Sequence, residues 1–200
     1  GDTGTNMSLT ILNGISEVSK SGSESLSTVA KIFSRGLLMG ARGNSGVILS
    51  QIFRGFAQYA KDKEELTVKE FSEALMNGSK MAYKAVMRPT EGTILTVVRE
   101  SAEYGEIYIN NHPESSIEDF VNYIVDEANA SLQRTPELLD VLKEAHCVDS
   151  GAMGYVTILE GFKSYLQGKP ITENLAGDSA DTEVHEKASG YRVEYIVTLS

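Results

Sequence analysis

From residue 7 to about residue 168, apolar side chains recur every three or four positions, a spacing that gathers them on one face of a helix. A chain patterned this way buries those faces by packing helix against helix, which sets the class as all-α. The clearest case is Ile117, Phe120, Val121, Ile124, Val125, Ala128 and Leu132, with Ser115 and Glu118 at the spacing of a capping box ahead of it. Thr67 and Glu70 repeat that signature before a helix carrying Phe71, Leu75, Ala82 and Val86. Thr135-Pro136 reads as an N-cap and first-turn proline opening a short helix through Leu138, Leu139 and Leu142. Further helices are predicted at about 7–20, 25–38, 44–60, 91–108 and 150–167. Roughly eight helices and no strand are expected in this region.

The pattern changes after Gly168. Residues 169–190 are rich in Gly, Ser, Asp, Glu and Thr and read as a flexible acidic linker. Residues 191–200 contain Tyr191-Arg192-Val193-Glu194-Tyr195-Ile196-Val197, an alternating run expected to be a strand that begins a further domain. The chain opens at Gly1, in the middle of a motif, and so reads as a fragment of a longer protein.

A net charge of −10 with no basic stripe argues against a nucleic-acid partner. An acidic chain still binds a nucleotide where Mg²⁺ and backbone N–H groups carry the phosphate charge. The single cysteine, Cys147, forms no internal disulfide, which suits a reducing cytoplasm, and it is expected as a small buried hydrophobe. No signal-peptide pattern and no transmembrane run is visible. Met39, Met76, Met81 and Met153 are expected in the core.

Four glycine-bearing segments, each ahead of a predicted helix, hold the candidate chemistry. The first is Gly1-Asp2-Thr3-Gly4-Thr5-Asn6-Met7, where a flexible turn presents a hard oxygen ligand suited to Mg²⁺. Its plainer reading is a surface turn that caps a helix. The second, Gly40-Ala41-Arg42-Gly43-Asn44-Ser45-Gly46, has N–H groups and a hydroxyl that suit phosphate oxygens. It lacks the Gly-Lys-Ser/Thr of a Walker A loop, and it also fits a helix–helix turn with a glycine cap after Met39. In the third, Arg88-Pro89-Thr90-Glu91-Gly92-Thr93-Ile94, either Thr90 or Thr93 can cap the next helix. The fourth is Cys147-Val148-Asp149-Ser150-Gly151-Ala152, in which Asp149 reads as an N-cap and the small residues leave room for a flat base.

Taken in order, Gly-Asp-Thr-Gly-Thr-Asn-Met, Gly-Asn-Ser-Gly, Glu-Gly-Thr-Ile-Leu and Val-Asp-Ser-Gly-Ala resemble the ATP-binding (DhaL-type, DAK2) domain of the dihydroxyacetone kinase family. Arg-Pro-Thr-Glu-Gly-Thr-Ile-Leu-Thr-Val, Thr-Pro-Glu-Leu-Leu and Ile-Leu-Glu-Gly-Phe are most similar to the N-terminal domain of its bacterial fatty-acid-kinase branch. The resemblance covers residues 1 to about 168. It implies an antiparallel helical barrel with a nucleotide held across the loops at one end, and Mg²⁺-dependent transfer of the ATP γ-phosphate. Asp2 matches one of the family's aspartates that hold two Mg²⁺ ions, and the acidic position two residues earlier lies before Gly1. Thr3, Gly4, Thr5 and Asn6 would surround the phosphates with Ser45 and Gly46, and Thr93 would lie on the nucleotide side. Asp149, Ser150 and Gly151 would flank the sugar or base.

Within that resemblance the acceptor is a fatty acid presented by a separate carrier protein, and a homodimer, where one forms, would be made through further domains. A carboxylate acceptor is already ionised and needs no general base. This agrees with the positions of His112, His146 and His185 outside the four segments. Alternatives are a dihydroxyacetone kinase subunit, a non-catalytic nucleotide sensor and a purely structural helical adaptor.

Overall fold

The computed structural model describes residues 2–169. They form eight α-helices, and among the described residues there is no strand. In chain order these are α1 (Thr3–Ser21), α2 (Leu26–Met39), α3 (Gly43–Tyr59), α4 (Val68–Lys84), α5 (Ile94–Asn111), α6 (Ile117–Leu138), α7 (Asp140–Glu144) and α8 (Ser150–Leu166). Each helix from α1 to α6 packs on its successor, α8 returns against α6, and α8 also meets α1. Those contacts close a ring, the antiparallel helical barrel expected from the sequence, with α7 as a short link. The acidic linker from residue 170 and the strand at 191–200 lie outside the described residues.

The caps explain most of the boundaries. Thr67 accepts from the Glu70 N–H while the Glu70 carboxylate accepts from the Thr67 N–H, a complete capping box at the start of α4. At α6 the cap is Ser116, not Ser115: its hydroxyl accepts from Asp119 N at 3.1 Å, while the Ser115 hydroxyl turns to the Ser116 carbonyl. The first segment is helical already at Thr3, because Asp2 caps it and so moves the start ahead of residue 7.

Thr135-Pro136 does not open a helix. α6 continues through Pro136 to Leu138, and α7 begins only at Asp140. The proline has no N–H for the Leu132 carbonyl four residues back, and the Thr135 hydroxyl donates to that carbonyl instead, at 2.7 Å. A local side-chain donor thus removes part of the usual penalty for a proline inside a helix.

Edge-to-face contacts join Phe56 to Phe71 and Phe71 to Phe120, across α3, α4 and α6, with centroids 5.7 and 5.9 Å apart. Leu49, Phe120, Ile124 and Leu159 are fully buried around them. Val18, Val29, Phe33 and Leu37 make a smaller cluster between α1 and α2. One cavity among the described residues is small, about 30 Å³, and apolar, bounded by residues such as Leu26, Phe33, Phe71 and Tyr155. Two expectations about the core are corrected. Met39 and Met153 are exposed at 71% and 51%, because both sit at helix ends rather than on inward faces. Cys147 is exposed in the link between α7 and α8. No helix among the described residues is long and apolar enough to cross a membrane.

Phe120 is fully buried at the junction of three helices. Phe120→Ala should lower the unfolding free energy by about 3–5 kcal/mol, read as a fall in the urea midpoint at unchanged slope.

Candidate functional site

Alternation around the ring brings the N-termini of α1, α3, α5 and α8 to one end. Side-chain contacts then tie the four segments together. The Thr10 hydroxyl, fully buried in α1, donates to the Asn6 carbonyl at 2.7 Å and accepts from the Arg42 N–H at 3.1 Å. That single hydroxyl holds the first segment against the second. α3 can come this close because residue 46 has no side chain: a Cβ on Gly46 would stand 2.5 Å from the Thr10 oxygen. Met7 packs on α8 at Gly154, which brings the first segment to the fourth. The fourth and third meet where Gly151 lies against Ile94.

Three of the four helix starts are capped by their own side chains. Asp2 accepts from Gly4 N and from the Thr5 hydroxyl, both at 3.1 Å. Thr93, not Thr90, caps α5: it accepts from Leu95 N at 3.3 Å and donates to the Thr90 carbonyl at 2.7 Å. Asp149 accepts from Ala152 N at 2.8 Å, and the Ile94 and Gly151 N–H groups also face its carboxylate. Burial raises the Asp149 carboxyl above its ordinary value, against the pull of those N–H groups.

The start of α3 is different. Its N-cap is Arg42, whose side chain has no acceptor, and no side-chain cap is made. Gly46 N bonds to the Arg42 carbonyl, which leaves the N–H groups of Gly43, Asn44 and Ser45 without an intrahelical acceptor. These groups carry the positive end of the helix dipole and form an anion-accepting edge beside the first segment.

The sequence-derived site residues therefore sit at one end of the barrel in unequal roles. Asp2, Gly4, Thr5 and Ser150 are exposed, Thr3, Asn6, Ser45, Thr93 and Asp149 are half-buried, and Gly46 and Gly151 are buried packing positions. Among the described residues no three Asp, Glu, His or Cys side chains gather to cage a metal ion. Asp2 alone still suits Mg²⁺, which commonly takes one or two carboxylates and fills its remaining positions with water and substrate phosphates. The donor set fits a metal that arrives with a polyphosphate and does not fit a closed protein cage.

The sequence reading missed a polar network behind the third segment. Glu91 accepts from the Thr96 hydroxyl, from Tyr83 at 3.0 Å and from Arg99 at 3.1 Å, while Arg99 also reaches Tyr83 and Glu103, each at 3.1 Å. Thr96 in turn accepts from Gly92 N at 2.8 Å, which pins the segment to α5. Burial works to raise the Glu91 carboxyl, but the hydrogen bonds from Thr96, Arg99 and Tyr83 outweigh it and hold it below its ordinary value. The only sequence signal was the spacing of Glu91, Arg99 and Glu103, which falls on one side of α5 and its entry.

A DAK2 domain model matches residues 1–164, and the chain belongs to the DAK2 domain family, a kinase-type family that includes dihydroxyacetone kinases and in general binds nucleotide. It is 46% identical over 192 residues to Protein YloV of Bacillus subtilis, a match covering 94% of this chain and 34% of that protein. It is 47% identical over 187 residues to an uncharacterised protein of Staphylococcus aureus strain USA300, with the same 94% and 34% coverage. The chain thus spans about a third of the length of the curated relatives it matches.

Two outcomes follow from this geometry. Gly46→Ala forces the Thr10 hydroxyl off its two partners and should cost about 1–3 kcal/mol of stability, measured by chemical denaturation. Glu91 stabilises the native chain through its ionised form, so that contribution is complete above the ordinary value of 4.5 and is lost as the pH falls through the lower folded value. Glu91→Gln should lower Tm at neutral pH and flatten the decline of Tm below about pH 4.5.

Proposed function

We propose that this chain is the nucleotide-binding domain of an ATP- and Mg²⁺-dependent phosphotransferase of the fatty-acid-kinase type. Its product is an acyl phosphate, made from a fatty acid delivered by a carrier protein. The observation that carries the reading is the uncapped start of α3, whose three free N–H groups stand beside the Asp2 segment with no side chain of their own to satisfy them. The β- and γ-phosphates would accept from Gly43, Asn44 and Ser45, with the hydroxyls of Thr3, Thr5 and Ser45 and the Asn6 amide alongside. Asp2 would hold Mg²⁺, which supplies charge neutralisation on the phosphates. Thr93, Ser150 and Gly151 would border the sugar or base, with Asp149 fixing the backbone beneath them.

The transfer needs little from the protein beyond positioning. A fatty carboxylate oxygen attacks the γ-phosphorus, the bond to the bridging oxygen of ADP breaks, and its electron pair leaves with ADP. No proton is removed from the acceptor, so no general base is required. The acceptor and its carrier rest on the resemblance of the Arg-Pro-Thr-Glu-Gly-Thr and Thr-Pro-Glu-Leu-Leu segments to the fatty-acid branch. A second reading, a non-catalytic nucleotide sensor, would use the same free N–H groups of α3 and would not depend on metal ligation at Asp2.

Calorimetric titration of ATP into the chain with and without Mg²⁺, repeated with Asp2→Asn, tests the proposal. Asn keeps the cap on α1 but removes the charge, so folding is preserved while metal ligation is lost. Mg²⁺-dependent binding that weakens about tenfold or more in Asp2→Asn is the expected result. Binding indifferent to both would favour the sensor, and no binding at all would overturn the nucleotide reading.

A further inference from the structure

Thr135 is wholly buried in the last turn of α6 and touches two of the four site segments from behind. Its hydroxyl donates to the Leu132 carbonyl at 2.7 Å and accepts from the Asp149 N–H at 3.1 Å. Its carbonyl lies where a Cβ on Gly92 would come within 2.9 Å, and the Leu138 and Leu139 side chains close the same seat at 3.1 and 2.8 Å. Gly92 has φ +82, a left-handed conformation that other residues adopt only with strain, so the third segment fits this corner through glycine.

The direction of the hydroxyl follows from its neighbour. Pro136 brings no N–H, so the Leu132 carbonyl would be an unsatisfied buried acceptor. The Thr135 proton is drawn to it, and a hydroxyl has only one proton to give. Its lone pairs are thereby left to receive the Asp149 N–H. The proline thus sets a donor, the donor orients a hydroxyl, and the hydroxyl fixes the residue that caps α8 and faces Ile94 at the start of α5.

We propose that Thr135, oriented by Pro136, is a positioning residue of the nucleotide site, holding Asp149 in place and seating Gly92 so that the third and fourth segments keep one fixed geometry. This deepens the nucleotide reading and rests on it. Thr135 acts through Asp149 and through the backbone, without touching the ligand.

The test is ATP affinity in the presence of Mg²⁺ for the chain carrying Thr135→Val, Thr135→Ser, Pro136→Ala, or Asp149→Ala alone and combined with Thr135→Val. Circular dichroism verifies folding at the assay temperature. Thr135→Val keeps the shape and loses the hydroxyl, and should weaken binding about tenfold, the loss of roughly one buried hydrogen bond. Thr135→Ser keeps the hydroxyl and should stay within about threefold of the unsubstituted chain. Adding Thr135→Val to Asp149→Ala should cost little more than Asp149→Ala alone, because the two act in series.

Pro136→Ala separates positioning from simple stability and serves even if Thr135→Val fails to fold. It restores an N–H for the Leu132 carbonyl, frees the hydroxyl to rotate and removes a helix-interior proline, so Tm should rise while ATP affinity falls. Weakened binding with a raised Tm supports the proposal. Unchanged affinity in folded Thr135→Val and Pro136→Ala, or additive losses in the double variant, would overturn it while leaving nucleotide binding intact. Absence of ATP binding by the unsubstituted chain would overturn the nucleotide reading and this inference together.

Discussion

Every helix that starts at a given end of a closed ring brings N–H groups that its own turns cannot satisfy, and in this ring four helices start at the same end. The site is shaped by how that surplus of donors is met. Asp2, Thr93 and Asp149 each satisfy donors of the helix they begin. At α3 the capping position is held by an arginine, and three donors remain for an outside acceptor. The asymmetry is meaningful because each of the other three starts carries a side-chain cap of its own. An anion bound there would meet one helix end without a side-chain cap and three that already carry one.

The framing depends on contacts between segments far apart in the chain. Thr10 binds the first segment to the second, and Thr135 binds the fourth to the corner that seats the third. Both are buried threonines whose hydroxyls donate to a carbonyl of their own helix and accept an N–H from another segment. A hydroxyl suits this task because it can do both at once, and a threonine methyl fills the remaining space without a further polar demand.

What was legible in the sequence followed locality. Helical spacing located the helices, and the Thr67–Glu70 box and the Asp149 cap were readable because their partners lie within three residues. The four site segments were readable because each places glycine and small polar residues ahead of an apolar run. Local rules also misled where a nearby side chain changed the balance. Pro136 reads as a helix start unless the Thr135 hydroxyl is known to take over the Leu132 carbonyl. The segment of Asp2 reads as a turn that caps a helix from about residue 7, whereas its carboxylate gathers Gly4 and Thr5 into the helix itself. The Glu91–Arg99–Tyr83 network was beyond reach, because it depends on how whole helices are placed. Cys147 follows the same logic: composition makes a lone cysteine a core candidate, but its place in the exposed link to α8 decides its burial.

The overall charge sets a last condition on such a site. A chain of net charge −10 repels a polyphosphate at long range, and at physiological salt that field is screened within roughly 8 Å. Attraction must therefore come from groups close to the ligand. Backbone N–H groups and hydroxyls attract phosphate oxygens through fixed partial charges without making the surface basic. Such groups hold an anion only if they are rigid, since each one alone is weak. In a site that holds phosphate, the buried threonines, the pinned glycines and the paired glutamate behind the exposed rim of loops would supply that rigidity.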